Sequence, residues 1–315
     1  CKNVRIAITG GAGFIGANLT RHLLDHPKIG SICVLDDLST GLISNIPPSE
    51  MVDFIEGSIL DTAVLHSAFE GSDAIVHLAA RPSVPRSLQD PRSTHDVNVT
   101  GTLNVLETAR ALGGVHTIIA SSSSVYGANE TLPKSEHLAT RPLSPYAASK
   151  LATESYALAW ASSFGLPVLA LRFFNVYGPL QRADHAYAAA IPRFIDAQLR
   201  GETIKIFGNG AQSRDFTYVD SLCDIIREAL IHRVTFESPV NAAFGTRSSL
   251  LDIIEVLRTI GNSDPRVEFL DPRPGDVLHS QADSRILNDL FPQCVPTDLE
   301  AGLQKTFDWL HSQIV

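Results

Sequence analysis

The sequence contains few sulfur-bearing residues: its 315 residues include four cysteines and one methionine. Cys1, Cys33, Cys223 and Cys294 are scattered along the chain and form no Cys-x-x-Cys pair. Their spacing matches neither a disulfide framework nor a zinc site. We therefore predict isolated thiols and no metal centre.

The sequence also lacks a membrane-spanning segment and an excess of basic residues. No apolar run reaches the roughly 18 residues that a spanning helix needs, and the N-terminal residues enter a strand pattern without a charged-then-apolar leader. We expect a cytoplasmic protein with no membrane partner. A formal net charge of -9 argues against a nucleic acid partner, because phosphate neutralisation requires a basic surface.

The hydrophobic pattern indicates an α/β protein. Short β-branched runs alternate with longer amphipathic stretches, as in strand-helix-strand units around a parallel sheet. The predicted strands are Val4 to Thr9, Ser31 to Leu35, Val52 to Glu56, Ala74 to Leu78, His116 to Ser121 and Val168 to Arg172. Helices are clearest from Ser93 to Ala111 and from Ser144 to Ser163. After about Asn175 the regularity gives way to Pro- and Gly-punctuated pieces, which predicts a smaller mixed lobe.

A glycine motif follows the first predicted strand and opens a helix: Thr9-Gly10-Gly11-Ala12-Gly13-Phe14-Ile15-Gly16. Gly10 permits a tight turn, Gly13 lets a pyrophosphate approach the backbone, and Gly16 allows close packing of helix on strand. The helix N-terminus offers free N–H donors to phosphate. A merely tight turn is the simpler interpretation, but the strand-turn-helix context favours a Rossmann-type, doubly wound dinucleotide fold.

Asp36 closes the second predicted strand, about 20 residues beyond the glycines, as the dinucleotide fingerprint requires. A carboxylate there binds the adenosine ribose hydroxyls and repels a 2'-phosphate. The segment that follows, Asp37 to Thr40, contains no arginine to receive such a phosphate. The sequence therefore predicts NAD rather than NADP.

Tyr146 and Lys150 are four residues apart on a predicted helix, so the phenol and the ammonium share one face. A free tyrosine, with a pKa of about 10, becomes a usable base when a nearby cation lowers that pKa. A surface pair is the simpler interpretation. Ser122 lies at the end of the strand from His116, at the sheet edge where ligands of open α/β folds bind, and can share a hydrogen bond with a substrate hydroxyl.

With these motifs in order, the chain resembles the extended short-chain dehydrogenase/reductases, and in particular the UDP-hexose 4-epimerases. Further segments carry the resemblance: His77 to Ala80, Val97 to Thr102, Leu171 to Pro179, Ser213 to Asp220 and Arg273 to Asp276. We expect an NAD-binding Rossmann domain over residues 1–175 and about 216–243. We expect a nucleotide-sugar-binding lobe, of mixed α/β structure, over residues 176–215 and 244–315.

The resemblance implies a set of residues that contact NAD: Gly10, Gly13, Phe14, Ile15, Gly16, Asp36, Ser58, Ile59, Leu78, Ala79, Ala80, Asn98, Tyr146 and Lys150. Many relatives carry an aspartate where this chain has Ser58, so a hydroxyl must replace the carboxylate that contacts the adenine. The resemblance also implies that NAD is held tightly and recycled.

The residues expected to contact a UDP-sugar are Arg86, Ser122, Ser123, Ser124, Asn175, Phe207, Arg214, Arg273, Asp276 and Ser280. In relatives, the Asn175 position contacts the sugar diphosphate and the aromatic at the Phe207 position lies against the uracil. The Arg214 and Arg273 positions grip the phosphates, as the forked guanidinium suits that group.

Ser123 and Ser124 favour epimerisation within the family. Sugar 4,6-dehydratases carry Asp-Glu at these places, and neither serine hydroxyl can perform that proton transfer near neutral pH. The resemblance implies that Tyr146 takes the proton of the C4 hydroxyl, Lys150 holds the nicotinamide ribose and Ser122 orients the hydroxyl. The alternatives are an NDP-sugar dehydratase or reductase of the same family, and a non-catalytic dinucleotide sensor.

The sugar and the oligomeric state are less defined. The small Ser280 leaves room for a 2-acetamido group, and Arg86 either braces its loop or meets the carboxylate of UDP-glucuronate; UDP-glucose also remains open. Apolar residues on the two long helices predict a homodimer through a four-helix seam: Leu103, Val105, Leu106, Leu151, Tyr156, Leu158 and Trp160.

Overall fold

The structure, a computed structural model, describes residues 3–184, 188–272 and 278–314. Its strands are β1 (Val4–Thr9), β2 (Ile29–Asp36), β3 (Val52–Glu56), β4 (Ala74–His77), β5 (His116–Ser122), β6 (Val168–Phe173), β7 (Val176–Tyr177), β8 (Ile204–Phe207), β9 (Ser213–Arg214), β10 (Thr217–Tyr218), β11 (Val240–Ala242), β12 (Ser248–Ser249) and β13 (Val267–Leu270).

The α-helices are α1 (Phe14–Leu24), α2 (Thr62–Phe69), α3 (Val84–Gln89), α4 (Pro91–His95), α5 (Gly101–Ala111), α6 (Pro145–Phe164), α7 (Ala190–Leu199), α8 (Val219–His232), α9 (Leu250–Ile260), α10 (Arg285–Leu290) and α11 (Leu299–Ile314). Short 3-10 turns occupy Ile43–Asn45 and Ser123–Tyr126, and a π-helical turn occupies Asp96–Thr100.

Across the described residues, a seven-stranded sheet has the order β11-β6-β5-β4-β1-β2-β3, and each neighbouring pair is parallel. Helices cover both faces, so the predicted Rossmann-type α/β class is confirmed. Strand order reverses between β1 and β4, and in such sheets the crevice outside the carboxyl ends at this point receives the ligand. The fold therefore places the β1 turn and the end of β4 at one opening.

Alternation along the strands builds a core on each side of the sheet. In β1, Ile6 and Ile8 face the cluster that includes Leu19 of α1, whereas Ala7 faces the cluster that includes Leu65 of α2. Because both faces are covered, the strands consist of nearly continuous apolar runs. This explains why their positions were predictable from the sequence.

The long predicted helix from Ser93 to Ala111 differs from the structure in one respect. The chain forms α4, then the π-helical turn Asp96–Thr100, then α5. A π turn inserts an extra residue per turn and redirects the side chains within it, and such turns are frequent at functional sites. The sequence predicted the helix but not this interruption.

Outside the seven-stranded sheet, the described residues form short strand pairings and helices. β8 and β13 pair in parallel, β9 and β12 pair antiparallel, and α7, α9 and α11 contact one another. β10 pairs with β7, which follows the sheet strand β6 directly. Within the described residues, no helix is long and apolar enough to span a bilayer.

Candidate active site

A cavity of about 420 Å³ opens at the carboxyl edge of the sheet. Most residues predicted to contact the dinucleotide line it, with two predicted sugar-facing residues, Ser122 and Asn175: Gly10, Gly13, Phe14, Ile15, Gly16, Asp36, Ile59, Leu78, Ala79, Ala80, Ser122, Tyr146, Lys150 and Asn175. The structure therefore brings the glycine turn, the second-strand acid and the catalytic candidates to one space.

The glycine turn is shaped by close backbone approaches. Gly10 has φ of +72°, and a Cβ there would lie 2.6 Å from the Ala79 backbone nitrogen. A Cβ on Gly16 would lie 2.4 Å from the Gly10 carbonyl oxygen. Neither position accepts a larger residue without moving the backbone, so the turn and the helix start are held close together. The first N–H groups of α1 have no partner within the helix and face this space, which suits a pyrophosphate.

Asp36 fixes the loops on the adenosine side of the cavity. Its carboxylate accepts hydrogen bonds from the backbone N–H groups of Ala12 and Leu38, both at 2.9 Å. Burial raises the pKa of Asp36, and these N–H donors oppose that rise. Ser58, expected at the adenine, is not among the residues that line the cavity, and its hydroxyl accepts from the N–H of Leu60 at 3.2 Å. Its neighbours Gly57 and Ile59 line the cavity instead.

The helix α6 begins so that its first two turns face the cavity. Ser144 caps it by accepting from the N–H of Ala147 at 3.1 Å, and Pro145 occupies the first helical position, where no N–H is needed. Tyr146 then lies in the first turn and Lys150 in the next. Both residues line the cavity.

The protonation of the pair differs from the sequence argument. Burial raises the pKa of the Tyr146 phenol, and a hydrogen bond with Ser122 lowers it. We had expected the Lys150 ammonium and the positive nicotinamide ring to lower this pKa, but the ammonium donates to the carbonyl of Ala120 at 2.8 Å. Burial lowers the pKa of Lys150 itself to about 8. The contact that tunes the phenol in this structure is therefore Ser122.

A second cavity, of about 310 Å³, adjoins the first, and Asn175 lines both. The predicted residues Phe207 and Arg214 line it. Three basic side chains, Arg193, Lys205 and Arg214, stand in its wall, and no described lining residue is acidic. An acidic protein thus presents a local basic surface next to the dinucleotide cavity, as an anionic second ligand requires.

Asn175 joins the two cavities through an unusual backbone conformation. Its φ is +34°, in a region that residues other than glycine seldom adopt. Its amide nitrogen donates to the carbonyl of Asp215 at 3.1 Å. Backbone strain of this kind is found at functional sites and persists where the surroundings hold it.

The family profile described as the NAD dependent epimerase/dehydratase family matches residues 6–243. The chain belongs to this NAD-dependent epimerase/dehydratase family. The resemblance inferred from the motifs is thereby confirmed, and so is NAD as the cofactor of this family member.

Similar proteins act on UDP-sugars. The UDP-glucose 4-epimerase of Mycolicibacterium smegmatis is 33% identical over 324 residues, covering 98% of this chain and 99% of the relative. The solved UDP-N-acetylglucosamine 4-epimerase from Methanobrevibacter ruminantium M1, in complex with UDP-N-acetylmuramic acid, is 34% identical with a TM-score of 0.93, covering 99% of this chain and 100% of that one. The Bacillus cereus UDP-glucuronic acid 4-epimerase, solved with UDP-glucuronic acid and NAD, is 32% identical with a TM-score of 0.89, covering 99% and 100%.

NAD fits the first cavity of this epimerase/dehydratase family member. The glycine cradle excludes side chains where a pyrophosphate would lie, and the Asp36 carboxylate is held by two backbone donors at the adenosine end. Tyr146 and Lys150 line the same cavity and would meet the nicotinamide and its ribose. These residues would hold the dinucleotide along the whole opening.

The hydrogen bonds of Asn98, a predicted cofactor contact, join two parts of the site. It is 1% exposed in the π-helical turn and is not among the residues that line the cavity. Its side-chain oxygen accepts from the N–H of Arg81 at 2.7 Å, and its nitrogen donates to the Ser149 hydroxyl at 2.9 Å. Ser149 lies between Tyr146 and Lys150 on α6. Asn98 therefore connects the cavity loop at Arg81 to the helix that carries the catalytic candidates.

His77 completes the support behind the cavity, and no sequence argument gave it a role of its own. Its ring joins the hydroxyls of Thr9, at 2.7 Å, and Thr102, at 3.0 Å. Thr102 donates in turn to the carbonyl of Asn98 at 2.6 Å. Burial, reinforced by Lys150, lowers the pKa of His77 to about 3, so the ring is neutral at working pH. His77 belongs to the segment His77 to Ala80 that carries the family resemblance, but only the fold shows that its ring bridges Thr9 and Thr102.

The remaining sugar-facing candidates are dispersed. Ser123 and Ser124 form the 3-10 turn after β5, and the buried Ser124 hydroxyl has no hydrogen-bond partner among the described residues. Arg86 is half-buried on α3. Ser280 donates its N–H to the Ser213 carbonyl at 3.0 Å and is not among the residues lining either cavity. Two further candidates lie outside the described residues: Arg273 and Asp276.

Two basic residues of the second cavity were missed by the sequence analysis. Arg193 lies on α7 and Lys205 on β8, and neither belongs to a motif. A lone basic residue in a sequence most often lies on a solvated surface, so no local signal marks these two. Only the packing of α7 against β8 brings them to one wall.

Proposed function

We propose that this protein is an NAD-dependent 4-epimerase of a UDP-hexose of the glucose, N-acetylglucosamine or glucuronate type. One observation carries the proposal: Ser122, Tyr146 and Lys150 stand at the dinucleotide cavity where it meets a basic second cavity at Asn175. Three relatives that match nearly the whole chain support it, since they are UDP-sugar 4-epimerases, although a dTDP-glucose 4,6-dehydratase matches it at similar identity. A UDP group in the second cavity would place its sugar beside Tyr146.

The proposed reaction uses Tyr146 as base and then as acid. Its oxygen, hydrogen-bonded to Ser122, takes the proton of the C4 hydroxyl as C4 loses a hydride, and the sugar becomes a 4-keto sugar. NAD, when bound, supplies a reversible hydride acceptor. The keto sugar turns over about its phosphate linkage, and Tyr146 returns the proton as hydride reaches the opposite face of C4. No net oxidation occurs, so one tightly held NAD serves repeatedly.

Ser123 and Ser124 support epimerisation over the alternative, an NDP-sugar dehydratase or reductase. The turn that carries them offers hydroxyls and no carboxylate to expel the C6 hydroxyl as water. Because the family includes dehydratases, membership alone does not separate the two reactions, and the product must be analysed. An epimer has the mass of the substrate, whereas dehydration removes one water.

The test incubates the protein with UDP-glucose, UDP-N-acetylglucosamine and UDP-glucuronate, without added NAD, and follows the sugars by proton NMR and mass spectrometry. We expect a C4 epimer of unchanged mass from at least one substrate. Tyr146→Phe should lose nearly all activity. The matched control is Tyr156→Phe, because Tyr156 lies on the same helix and is 37% exposed on its outer side. A product lighter by one water, or full activity of Tyr146→Phe, would contradict the proposal.

We also propose a homodimer through the outer faces of α5 and α6. Two of the residues expected in the seam are not available, since Val105 and Leu106 are 0% exposed in the core beneath α5. The outer face of α6 instead carries an aromatic row, in which Trp160 lies 5.7 Å from the Tyr156 ring and 5.3 Å from the Phe164 ring. Light scattering should give twice the chain mass, and Tyr156→Asp with Phe164→Asp should give a monomer.

A further inference from the structure

A buried ion pair joins α6 to β6 directly behind the active site. The guanidinium of Arg172 contacts the carboxylate of Glu154 in two places, Nη2 to Oε1 at 2.6 Å and Nε to Oε2 at 3.0 Å. The two side chains are 3% and 4% exposed. Glu154 lies one helical turn beyond Lys150. Neither member of the pair is among the residues that line a cavity.

Burial of both charges argues against a role in stability alone. Removing two charges from water costs about as much as their attraction returns, and apolar residues of similar volume often serve the fold as well or better. The forked, two-point contact instead fixes the orientation of both side chains, because it holds the guanidinium and the carboxylate in one plane and at one distance. We therefore ask which neighbouring residues it orients.

The pair also holds the end of β5. Glu154 Oε2 accepts from the hydroxyl of Ser121 at 2.7 Å, and Ser121 immediately precedes Ser122. The remaining guanidinium nitrogen of Arg172 donates to the carbonyl of Glu136 at 3.4 Å. The carboxylate thus spans the catalytic helix and two neighbouring strands of the sheet.

Arg172 reaches the serine turn as well. Its guanidinium carbon lies 4.7 Å from the centre of the Tyr126 ring, a cation–π contact within the core. Tyr126 ends the 3-10 turn that carries Ser123 and Ser124, and its hydroxyl donates to Asn241 of the edge strand β11 at 2.7 Å. The end of β5 and the turn after it, which carry Ser122, Ser123 and Ser124, therefore both contact this one pair.

We propose that Glu154 and Arg172 are a positioning pair that sets Ser122 against Tyr146, so that the two side chains share their hydrogen bond during proton transfer. The proposal rests on the proposed epimerase function. Neither residue touches a reacting atom. Their effect passes through Ser121 to the end of β5 and through α6 to Tyr146.

The test replaces the pair by uncharged residues of similar size, Glu154→Leu with Arg172→Met. We expect the double variant to fold, with a thermal midpoint within a few degrees of the parent and an unchanged NAD content. Its kcat should fall at least about tenfold with little change in KM, since small misplacements of reacting groups reduce the chemical step steeply. The matched control removes an exposed pair on α9, Glu255→Leu with Arg258→Met, and should leave kcat unchanged.

A second readout is independent of turnover. The Tyr146 phenol is titrated by ultraviolet absorbance, as the difference between each protein and its Tyr146→Phe counterpart. Because the Ser122 hydrogen bond lowers the pKa of Tyr146, loss of that bond in the double variant should move the titration to higher pH. If the parent protein does not epimerise any UDP-sugar, the proposed function fails, and this titration alone still decides the positioning role.

If the double variant does not fold, Arg172→Lys replaces it, since lysine keeps the charge and loses the fork. We expect Arg172→Lys to lower kcat and to move the titration of the Tyr146 phenol to higher pH, with a near-normal thermal midpoint. A folded variant with the parent's kcat and the parent's titration would overturn the proposal. So would a fall in thermal midpoint with both of these readouts unmoved, because the pair would then serve only stability.

Discussion

The buried Lys150 should lower the free energy of unfolding at neutral pH, by an amount that depends on pH. The side chain is buried, and burial lowers its pKa from 10.5 to about 8 in the folded protein. Between these two values the unfolded chain binds more protons than the folded chain, so the free energy of unfolding rises with pH. Below about pH 8 the full penalty of burying the ammonium applies. Above about pH 10.5 it vanishes.

The magnitude follows from the size of the shift. A change from 10.5 to about 8 corresponds to about 3 kcal/mol, at 1.36 kcal/mol for each unit of pKa. Lys150→Met removes this penalty, but it also removes the bond to the Ala120 carbonyl, which is worth about 1.5–3 kcal/mol for a charged donor. The two effects nearly cancel at pH 7. The stability of the parent relative to the variant should nevertheless rise by about 2 kcal/mol between pH 7 and pH 9.5.

The assay is urea unfolding of NAD-free parent and Lys150→Met protein at several pH values in this range. Taking the difference removes the titration of all other groups. Lys28→Met, at an exposed lysine, serves as the control and should show no such trend. Parallel stability curves for parent and Lys150→Met would refute the reasoning, because they would mean that Lys150 does not change its affinity for protons on folding.

Three further predictions concern the dinucleotide side. Gly10→Ala should lower the free energy of unfolding by about 3 kcal/mol or abolish NAD binding, because its Cβ meets the backbone. Gly71→Ala, with positive φ but no atom within 4 Å, should cost only about 1 kcal/mol by urea unfolding. Asp36→Asn should weaken NAD about tenfold by calorimetry and improve NADP; unchanged affinities would contradict the role of its charge. The effects of Thr9→Val and Thr102→Val on NAD affinity should be non-additive, because the His77 ring bridges the two hydroxyls. Strictly additive effects would show that this bridge does not contribute to NAD binding.

The features that the sequence predicted well depend on local rules. The inner strands were visible because they are buried on both faces and consist largely of apolar residues, as in β1 and β4. The glycine turn was predictable because its glycines have close backbone neighbours. Gly16 packs against the Gly10 carbonyl, six residues earlier, and Gly10 packs against the Ala79 backbone at the end of the adjacent strand β4. The spacing of Tyr146 and Lys150 follows from the helical repeat alone. NAD rather than NADP followed from Asp36, which ends a strand.

The features that escaped the sequence depend on contacts between distant segments. The π-helical turn that carries Asn98 was not predicted, because apolar patterning of the helix could not reveal its extra residue per turn. Val105 and Leu106 were assigned to a dimer seam, but they pack against the sheet, because hydrophobicity does not distinguish a core from an interface. The Ser58 hydroxyl accepts a hydrogen bond within its own loop, which the sequence motif could not show.

The sequence by itself determined the type of fold, the cofactor and the chemical groups at hand, because these depend on residue type and on spacing within one element. The tertiary structure alone decided which groups meet. Arg193 and Lys205 become one basic wall only when α7 and β8 pack together. Glu154 finds Arg172 across 18 residues of chain and Ser121 across 33, and such distances are closed by packing and not by any local preference.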